Sequence, residues 1–255
     1  MKNINIVKVS RKNSISKTFY QKTKIKKFPK GETLIKDWPN SWKKIYTKDY
    51  PRLESIQLPK NIPPLNTSIS TILLKRKSER IFFRKKVSLS KLSTLLFYSA
   101  GIIPGSKTWN VTRRFYPSAG ARYPLEVYLS TNNIVGLENG LYHYNIRCHS
   151  LDVLLQERHL NKKISELTNQ DWVSKSNIII LITSAFQRTQ TKYDDRGLRH
   201  ILLESGHLAQ NVYLVGNTLD LKVCAIGGFI DDKINNLIDI DNEEEGIIYV
   251  LAVGT

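Results

Sequence analysis

Cysteine is scarce in this chain of 255 residues: there are two, Cys148 and Cys224, with no C-x-x-C pair and no clustered histidine beside them. That excludes a disulfide framework and a structural zinc site, and fits a reducing, cytoplasmic setting. No apolar run approaches the roughly 20 residues that a membrane-spanning helix needs. The start, Met1-Lys2-Asn3-Ile4-Asn5-Ile6, has no apolar core of a secretory signal. A G-x-S-x-G elbow, a P-loop and a G-x-G-x-x-G turn are all missing, which removes three common catalytic or nucleotide-binding devices. His200 and His207 share a helical stretch without the i, i+4 spacing of a zinc-binding helix. His207, on a mostly apolar helix, reads as a core or interface histidine. Acid is also short: 22 Asp and Glu stand against 39 Lys and Arg, a net charge of +17. Such a balance suits nucleic acid, an anionic surface or an acidic partner. With no helix-turn-helix, zinc finger or RNP-like signature, the charge alone does not make a nucleic-acid binder.

Hydrophobic residues make up 41% of the chain, enough to bury a core. Residues 1–65 are the least patterned part. They are basic with interleaved aromatics (Lys24-Ile25-Lys26-Lys27, Trp42-Lys43-Lys44), and Pro51, Pro59, Pro63 and Pro64 break any long element. They read as an extended arm, disordered at its extreme end. The body is expected over 66–255. Asn66 or Thr67 opens a short helix through Ile69, Ile72 and Leu73. Ser88 caps a second helix with the stripe Leu89, Leu92, Leu95, Leu96 and Ala100, which Gly101 stops. Leu125, Val127 and Leu129 alternate with polar neighbours, as in a strand with one buried face. Residues 140–146 predict another strand, and Asn177–Thr183 is apolar throughout, as in a central strand. A helix follows at 160–167 and a long one at 195–219, apolar on most sides. Strands at 223–226 and 246–253 and a helix from Asp231 close the chain. Helices and strands mix without regular βαβ alternation, which predicts an α+β fold.

Three clusters carry possible chemistry. Arg76-Lys77-Ser78-Glu79-Arg80 can hold a phosphate through charge-assisted hydrogen bonds; from spacing alone, an exposed charged helix end is the simpler reading. Tyr116-Pro117-Ser118-Ala119-Gly120-Ala121 is a turn whose small side chains let a flat polar ligand approach the backbone; composition alone reads it as a tight turn feeding a strand. Lys192-Tyr193 stands just before the long helix. A neighbouring ammonium lowers a phenol and burial lowers a lysine, so either can serve as a base near neutral pH; without other information it is an ordinary charged loop.

Together and in this order, the clusters resemble the nitroreductase-like flavoproteins, and within them the SagB-type thiazole/oxazole dehydrogenases. The Arg-Arg-Ser-x-Arg-x-Phe segment of that family is matched by Arg76 to Phe82, with Lys77 for the second Arg. Its Pro-Ser-Ala-Gly-Ala-x-Tyr-Pro-x-Glu-x-Tyr segment is matched by Pro117 to Tyr128, with Arg122 where an apolar residue is usual. Lys192-Tyr193 precedes Glu204-Ser205-Gly206-His207-Leu208-Ala209-Gln210-Asn211, as a Lys-Tyr pair precedes Glu-x-Gly-His-x-x-Gln-Asn there. Gly227-Gly228-Phe229 matches the Gly-Gly-Phe after the next strand. The resemblance covers roughly residues 50–255.

It implies a nitroreductase-like α+β fold, a central mixed or antiparallel sheet flanked by helices, and a homodimer with FMN at the interface. By matched position, Arg76, Lys77 and Ser78 would hold the FMN phosphate and ribityl chain. Arg80 or Arg199 would stand in for basic residues that often follow the last strand in relatives. Pro117, Ser118, Ala119 and Gly120 would line the isoalloxazine, and Gly227 and Gly228 would present backbone N–H groups to it. Lys192 and Tyr193 would be the catalytic pair, with Tyr193 as phenolate the preferred base. The implied reaction oxidises thiazoline or oxazoline rings in an azoline-containing precursor peptide, beside a cyclodehydratase complex. Arg122 would meet an acidic peptide at the flavin mouth or point into solvent. Two alternatives stand: a flavin reductase acting on quinones, nitro compounds or dehydroamino acids, and a flavin-less scaffold of a peptide-modifying complex.

Overall fold

The computed structural model of the chain describes residues 14–26, 38–43, 46–108 and 111–255. It divides into two units, Met1–Pro39 and Asn40–Thr255. The arm expected over 1–65 is therefore shorter, because from Asn40 onward the chain belongs to the larger unit. Met1–Ile6, Lys27 and Lys44 lie outside the described residues. In the first unit a short helix, α1 (Ile15–Lys22), starts where the Ser14 side chain accepts the N–H of Lys17. Among the described residues no helix is long and apolar enough to cross a membrane.

The larger unit runs α2 (Asn40–Lys43), β1 (Ser55–Gln57), α3 (Ile69–Lys75), β2 (Val87–Ser88), α4 (Leu89–Ala100), β3 (Ile102–Thr108), β4 (Val111–Arg114), β5 (Leu125–Thr131), β6 (Ile134–Val135), β7 (Gly140–Asn145), β8 (Ser150–Gln156), α5 (Leu160–Thr168), β9 (Ile178–Ala185), α6 (Gln187–Tyr193), α7 (Gly197–Thr218), β10 (Lys222–Ile226), α8 (Asp231–Leu237) and β11 (Glu245–Gly254). Seven strands form one sheet in the order β1-β8-β7-β5-β9-β11-β10. Every neighbouring pair in it is antiparallel. The pairs β2–β6 and β3–β4 stand outside it.

The sequence explains the layering. β9 is Ile178-Ile179-Ile180-Leu181-Ile182, β-branched and apolar on both faces, so it takes the centre, between β5 and β11. One of its faces packs on α4 and α7, where Leu92, Leu95, Leu96, Ile201, Leu208 and Val212 are buried with Ile180 and Ile182. The other packs on α5 and α8, where Leu160, Ile164 and Ile234 meet Ile179 and Leu181. Each such side chain contributes about 1.5–3 kcal/mol on burial. β5 differs from the alternation read for it: its polar positions Glu126, Tyr128 and Ser130 are buried too. α4 begins and ends as expected, with Ser88 accepting the N–H of Lys91 and Gly101 beyond its last turn. α3 is capped by Ser68, not by Asn66 or Thr67.

Candidate active site

The turn after Tyr116 becomes a single 3-10 turn, Ala119–Ala121, with Gly120 at φ +59°. Ser118 fixes it, its hydroxyl oxygen accepting the N–H of Tyr123 at 2.8 Å. Lys192 and Tyr193 are the last residues of α6, a helix where the sequence suggested a loop. The two segments converge. A Cβ added to Gly120 would lie 2.7 Å from the Tyr193 hydroxyl and 3.1 Å from Lys192 Nζ. Only glycine tolerates both that conformation and that proximity.

Electrostatics separates the members of the pair. Burial, then the positive charge of Arg122, pushes the Lys192 ammonium below its ordinary range. Burial pushes the Tyr193 phenol up, against the opposing pull of Arg122. Lys192 Nζ lies 5.4 Å from the centre of the Trp42 ring and 5.6 Å from that of Tyr193. The Tyr193 ring packs edge-on against His200 of α7, centroids 4.8 Å apart.

Arg122 neither reaches a site mouth nor points into solvent. It is 2% exposed. Its Nε donates to Arg188 O at 2.6 Å, Nη1 to Trp42 O at 2.5 Å and Nη2 to Ser41 O at 3.1 Å.

The second group assembles at the far half of α7. Arg76 caps the C-terminal end of α3 and lies over the Tyr213 ring at 5.5 Å. Ser78 Oγ is 2.9 Å from the Tyr213 hydroxyl, which accepts the N–H of Ala225 at 2.8 Å. With the Tyr213 hydrogen turned to Ser78, the Ser78 hydrogen is left for an anion. Lys77 and Arg80 are exposed, and Lys77 sits 3.8 Å from Glu79. Arg80, Gly227 and Gly228 line one cavity of about 560 Å³ with Trp172, Asn169 and Gln170. Nothing lies within 4 Å of where a Cβ would stand on Gly227 or Gly228, so their backbone is open to a planar ligand. Cations, a hydroxyl and open glycine backbone are the donor set of a phosphate joined to a flat ring, so these residues fit FMN.

A family pattern, the nitroreductase family, matches residues 73–255. The chain belongs to the nitroreductase family. Within it, MJ1384 of Methanocaldococcus jannaschii, named as a nitroreductase, is 34% identical over 174 residues, 68% of this chain and 84% of its own. The microcin B17-processing protein McbC of Escherichia coli is 28% identical over 178 residues. The trifolitoxin-processing protein TfxB of Rhizobium leguminosarum is 27% identical over 164 residues. The matches cover 67% and 61% of this chain, but 63% of McbC and 44% of TfxB. Among solved structures, a nitroreductase-named protein of Anabaena variabilis superposes with a TM-score of 0.72 at 24% identity, covering 93% of this chain and 46% of that one. The E. coli microcin synthetase complex McbBCD, solved with truncated pro-MccB17 bound, matches with a TM-score of 0.61 at 23% identity, covering 94% and 91%. At these identities the likeness is one of fold: the mixed α+β fold with its large antiparallel sheet between helices is that of the nitroreductases.

Three features of this nitroreductase-family site escape the sequence. Trp42 reads there as part of a solvated basic arm, although an aromatic beside two lysines is itself a signal. Tyr213 supports Ser78 with no local pattern to announce it. Glu204 is only a letter of its motif. It is 2% exposed, and its Oε1 has no hydrogen-bond partner. Burial pushes its carboxyl up to about 8 against a hydrogen bond from Ser118 and the charge of Arg114. It sits beneath the Ser118–Gly120 turn as a neutral acid. The histidines differ from expectation as well. His207 is exposed, whereas His143 is buried between two carboxylates, with Glu126 2.9 Å from Nε2 and Asp152 3.2 Å from Nδ1. Among the described residues no group of His, Cys, Asp and Glu is placed to hold a metal ion. Cys148 is exposed and Cys224 buried, both as free thiols.

Proposed function

We propose that this chain is an FMN-dependent dehydrogenase that oxidises thiazoline or oxazoline rings of a ribosomally made precursor peptide to thiazole or oxazole, in the cytoplasm. The observation that carries the reading is the convergence of Gly120, Lys192 and Tyr193, which sets a proton-handling pair against a turn where a flat ring can lie. Aromatising the ring requires loss of a proton from one carbon and a hydride from its neighbour. Bound FMN supplies the hydride acceptor. The chain's own part is to take the proton and hold the ring still in a dry site. Lys192, its ammonium destabilised, is the better base near neutral pH. Tyr193, its phenol kept protonated, is the better hydrogen-bond donor. That assignment reverses the preference for Tyr193 as base drawn from sequence. Arg76, Lys77, Ser78 and Arg80 would hold the phosphate end, Gly227 and Gly228 the ring edge, and Pro117, Ser118, Ala119 and Gly120 the ring face.

The reading includes a second copy of the chain. Ser78 touches Tyr213, and Tyr193 packs on His200. Thirteen helical residues separate Tyr213 from His200, about 20 Å along α7. Between them Leu202, Leu203 and Gly206 are exposed, and α3 beside α7 leaves Ile69, Leu73 and Leu74 exposed. A two-fold axis near Gly206 covers this apolar face and turns α7 end for end. It sets the Lys192–Tyr193 pair of one copy opposite the Arg76–Arg80 segment of the other. Each site is then shared, as the resemblance implies.

Similarity to McbC and TfxB supports a place beside a cyclodehydratase, the class of enzyme that makes azolines. Similarity to MJ1384 supports a second reading, reduction of nitro compounds or quinones. The test uses the purified full-length protein. It should be yellow, with FMN identified by mass spectrometry, and remove two hydrogens per ring from an azoline peptide. Lys192→Ala should lower that turnover at least about a hundredfold with flavin retained. Undiminished ring oxidation by a Lys192→Ala, Tyr193→Phe double variant sinks the mechanism. Quinone reduction by NAD(P)H with no ring oxidation favours the second reading, and a colourless protein that cannot be reconstituted favours a scaffold.

A further inference from the structure

We infer that Arg122 and Trp42 complete the Lys192–Tyr193 site: Arg122 is a positioning residue that clamps α2 onto α6, and Trp42 is the aromatic wall on which a planar substrate ring stacks. The stacking role rests on the proposed function; the clamp does not. A guanidinium 2% exposed is costly to bury, and here its hydrogen bonds run to three neutral main-chain carbonyls, those of Ser41, Trp42 and Arg188. Those carbonyls belong to α2 and α6, elements that have no other reason to lie together, since α2 is only four residues long. The second tie is Trp42 Nε1, which donates to Thr191 O at 3.0 Å. Backbone and indole are thus fixed at both ends, and the ring stands beside Lys192 Nζ. A half-buried tryptophan held this way presents its ring to the space in front of Gly120, a surface suited to a five-membered heterocycle rather than to an aliphatic chain.

The clamp also carries charge into the site. The titratable groups around Lys192 are Tyr193 on its own helix, His200 of α7 behind the Tyr193 ring, Arg122 from the turn, and Tyr46, which faces Arg122. Arg122 contributes positive charge toward both members of the pair, favouring the neutral amine. Neither a methionine nor a lysine reproduces both functions. Methionine keeps the length and loses charge and donors, while lysine keeps the charge but cannot reach three carbonyls in one plane.

The experiment compares wild type, Arg122→Met, Arg122→Lys, Trp42→Ala and Trp42→Phe as purified full-length protein. The rate of Lys192 acylation is followed against pH by peptide mass spectrometry. Its midpoint should move up by about half a pH unit or more in Arg122→Met and stay near wild type in Arg122→Lys. Hydrogen exchange of the α2 amides should accelerate at least about tenfold in both Arg122 variants. In turnover of an azoline peptide, Trp42→Ala should raise KM about tenfold with a smaller change in kcat, and Trp42→Phe should restore most of it. An unmoved acylation midpoint together with unchanged α2 exchange in Arg122→Met overturns the clamp. An unchanged KM in Trp42→Ala overturns the wall. If wild type does not oxidise azolines, the proposed function and the stacking role fall together, and the first two readouts still judge the clamp.

Discussion

Gly120 shows how much one hydrogen atom in place of a methyl decides. Its φ of +59° costs an L-residue about 1–2 kcal/mol, and its missing Cβ is the space in which the Tyr193 hydroxyl sits. Gly136 offers a control: its φ is +81°, with nothing within 4 Å of where a methyl would stand. Gly120→Ala and Gly136→Ala should therefore lose similar stability, a few °C in Tm, while only Gly120→Ala loses turnover, about tenfold or more. Thermal melts beside steady-state kinetics check this, and equal turnover in the two variants would break the link between the turn and the pair. At this scale the sequence was legible where chemistry is local. A small-residue turn and an adjacent Lys-Tyr pair can be read from the letters. Arg122 could not be, because its partners are the carbonyls of residues about 80 and 66 positions away.

Among elements, the sheet hides a charge network that no periodicity reveals. Glu126 of β5 accepts from Arg188 Nη1 at 2.5 Å and meets His143 of β7, which pairs across to Asp152 of β8. Lys48 Nζ reaches Glu245 of β11 and the Tyr128 hydroxyl, both at 2.7 Å. Three cations then balance three carboxylates only if His143 is protonated. Burial alone would lower His143, but its hydrogen bonds to Asp152 and Glu126 outweigh this and raise it. A raised histidine contributes stability that is whole below its unfolded pKa of about 6.5 and is lost as pH rises through the folded value. Glu204 has the same sign with an earlier onset. Its folded value of about 8 lies above the unfolded 4.5, so stability falls as pH climbs from about 4.5 through 8. Denaturant melts from pH 5 to 9 should show wild type weakening by a few kcal/mol overall. Glu204→Gln should remove the slope below about pH 8, and His143→Gln the part that begins near 6.5, at a cost of about 3–5 kcal/mol for the unpaired carboxylates. A wild-type stability that rises over this range would contradict both assignments. α4, β9 and α7 were legible because each carries a cap or a continuous apolar pattern. β8 was not, because Asp152 points inward amid its apolar residues, and neither was α6, whose Gln-Arg-Thr-Gln-Thr-Lys-Tyr has no apolar stripe.

For the whole molecule, the decisive question is where two half-sites meet. The order of the motifs along the chain discloses the family, yet it conceals that the Arg76–Arg80 segment and the Lys192–Tyr193 pair lie along opposite halves of α7. A single copy separates them by about 20 Å, and a two-fold across the exposed Leu202, Leu203 and Gly206 face rejoins them between copies. This makes an arithmetic prediction. A chain carrying Lys192→Ala and Tyr193→Ala keeps its phosphate-holding segment, and a chain carrying Arg76→Ala and Ser78→Ala keeps its proton-handling pair. Each homodimer is defective at both sites. Mixed one to one and allowed to exchange, half of the dimers are hybrid, and each hybrid holds one site with both halves intact. Turnover should recover to about a quarter of the wild-type rate from two inactive preparations. If each site were instead contained within one copy, both chains of a hybrid would remain defective and mixing would restore nothing. Leu202→Glu, Leu203→Glu in both chains should abolish the recovery, because two charges in place of two apolar anchors leave the face unable to close. Analytical ultracentrifugation of that variant should then give a monomer, with flavin lost alongside the second copy that completes its site.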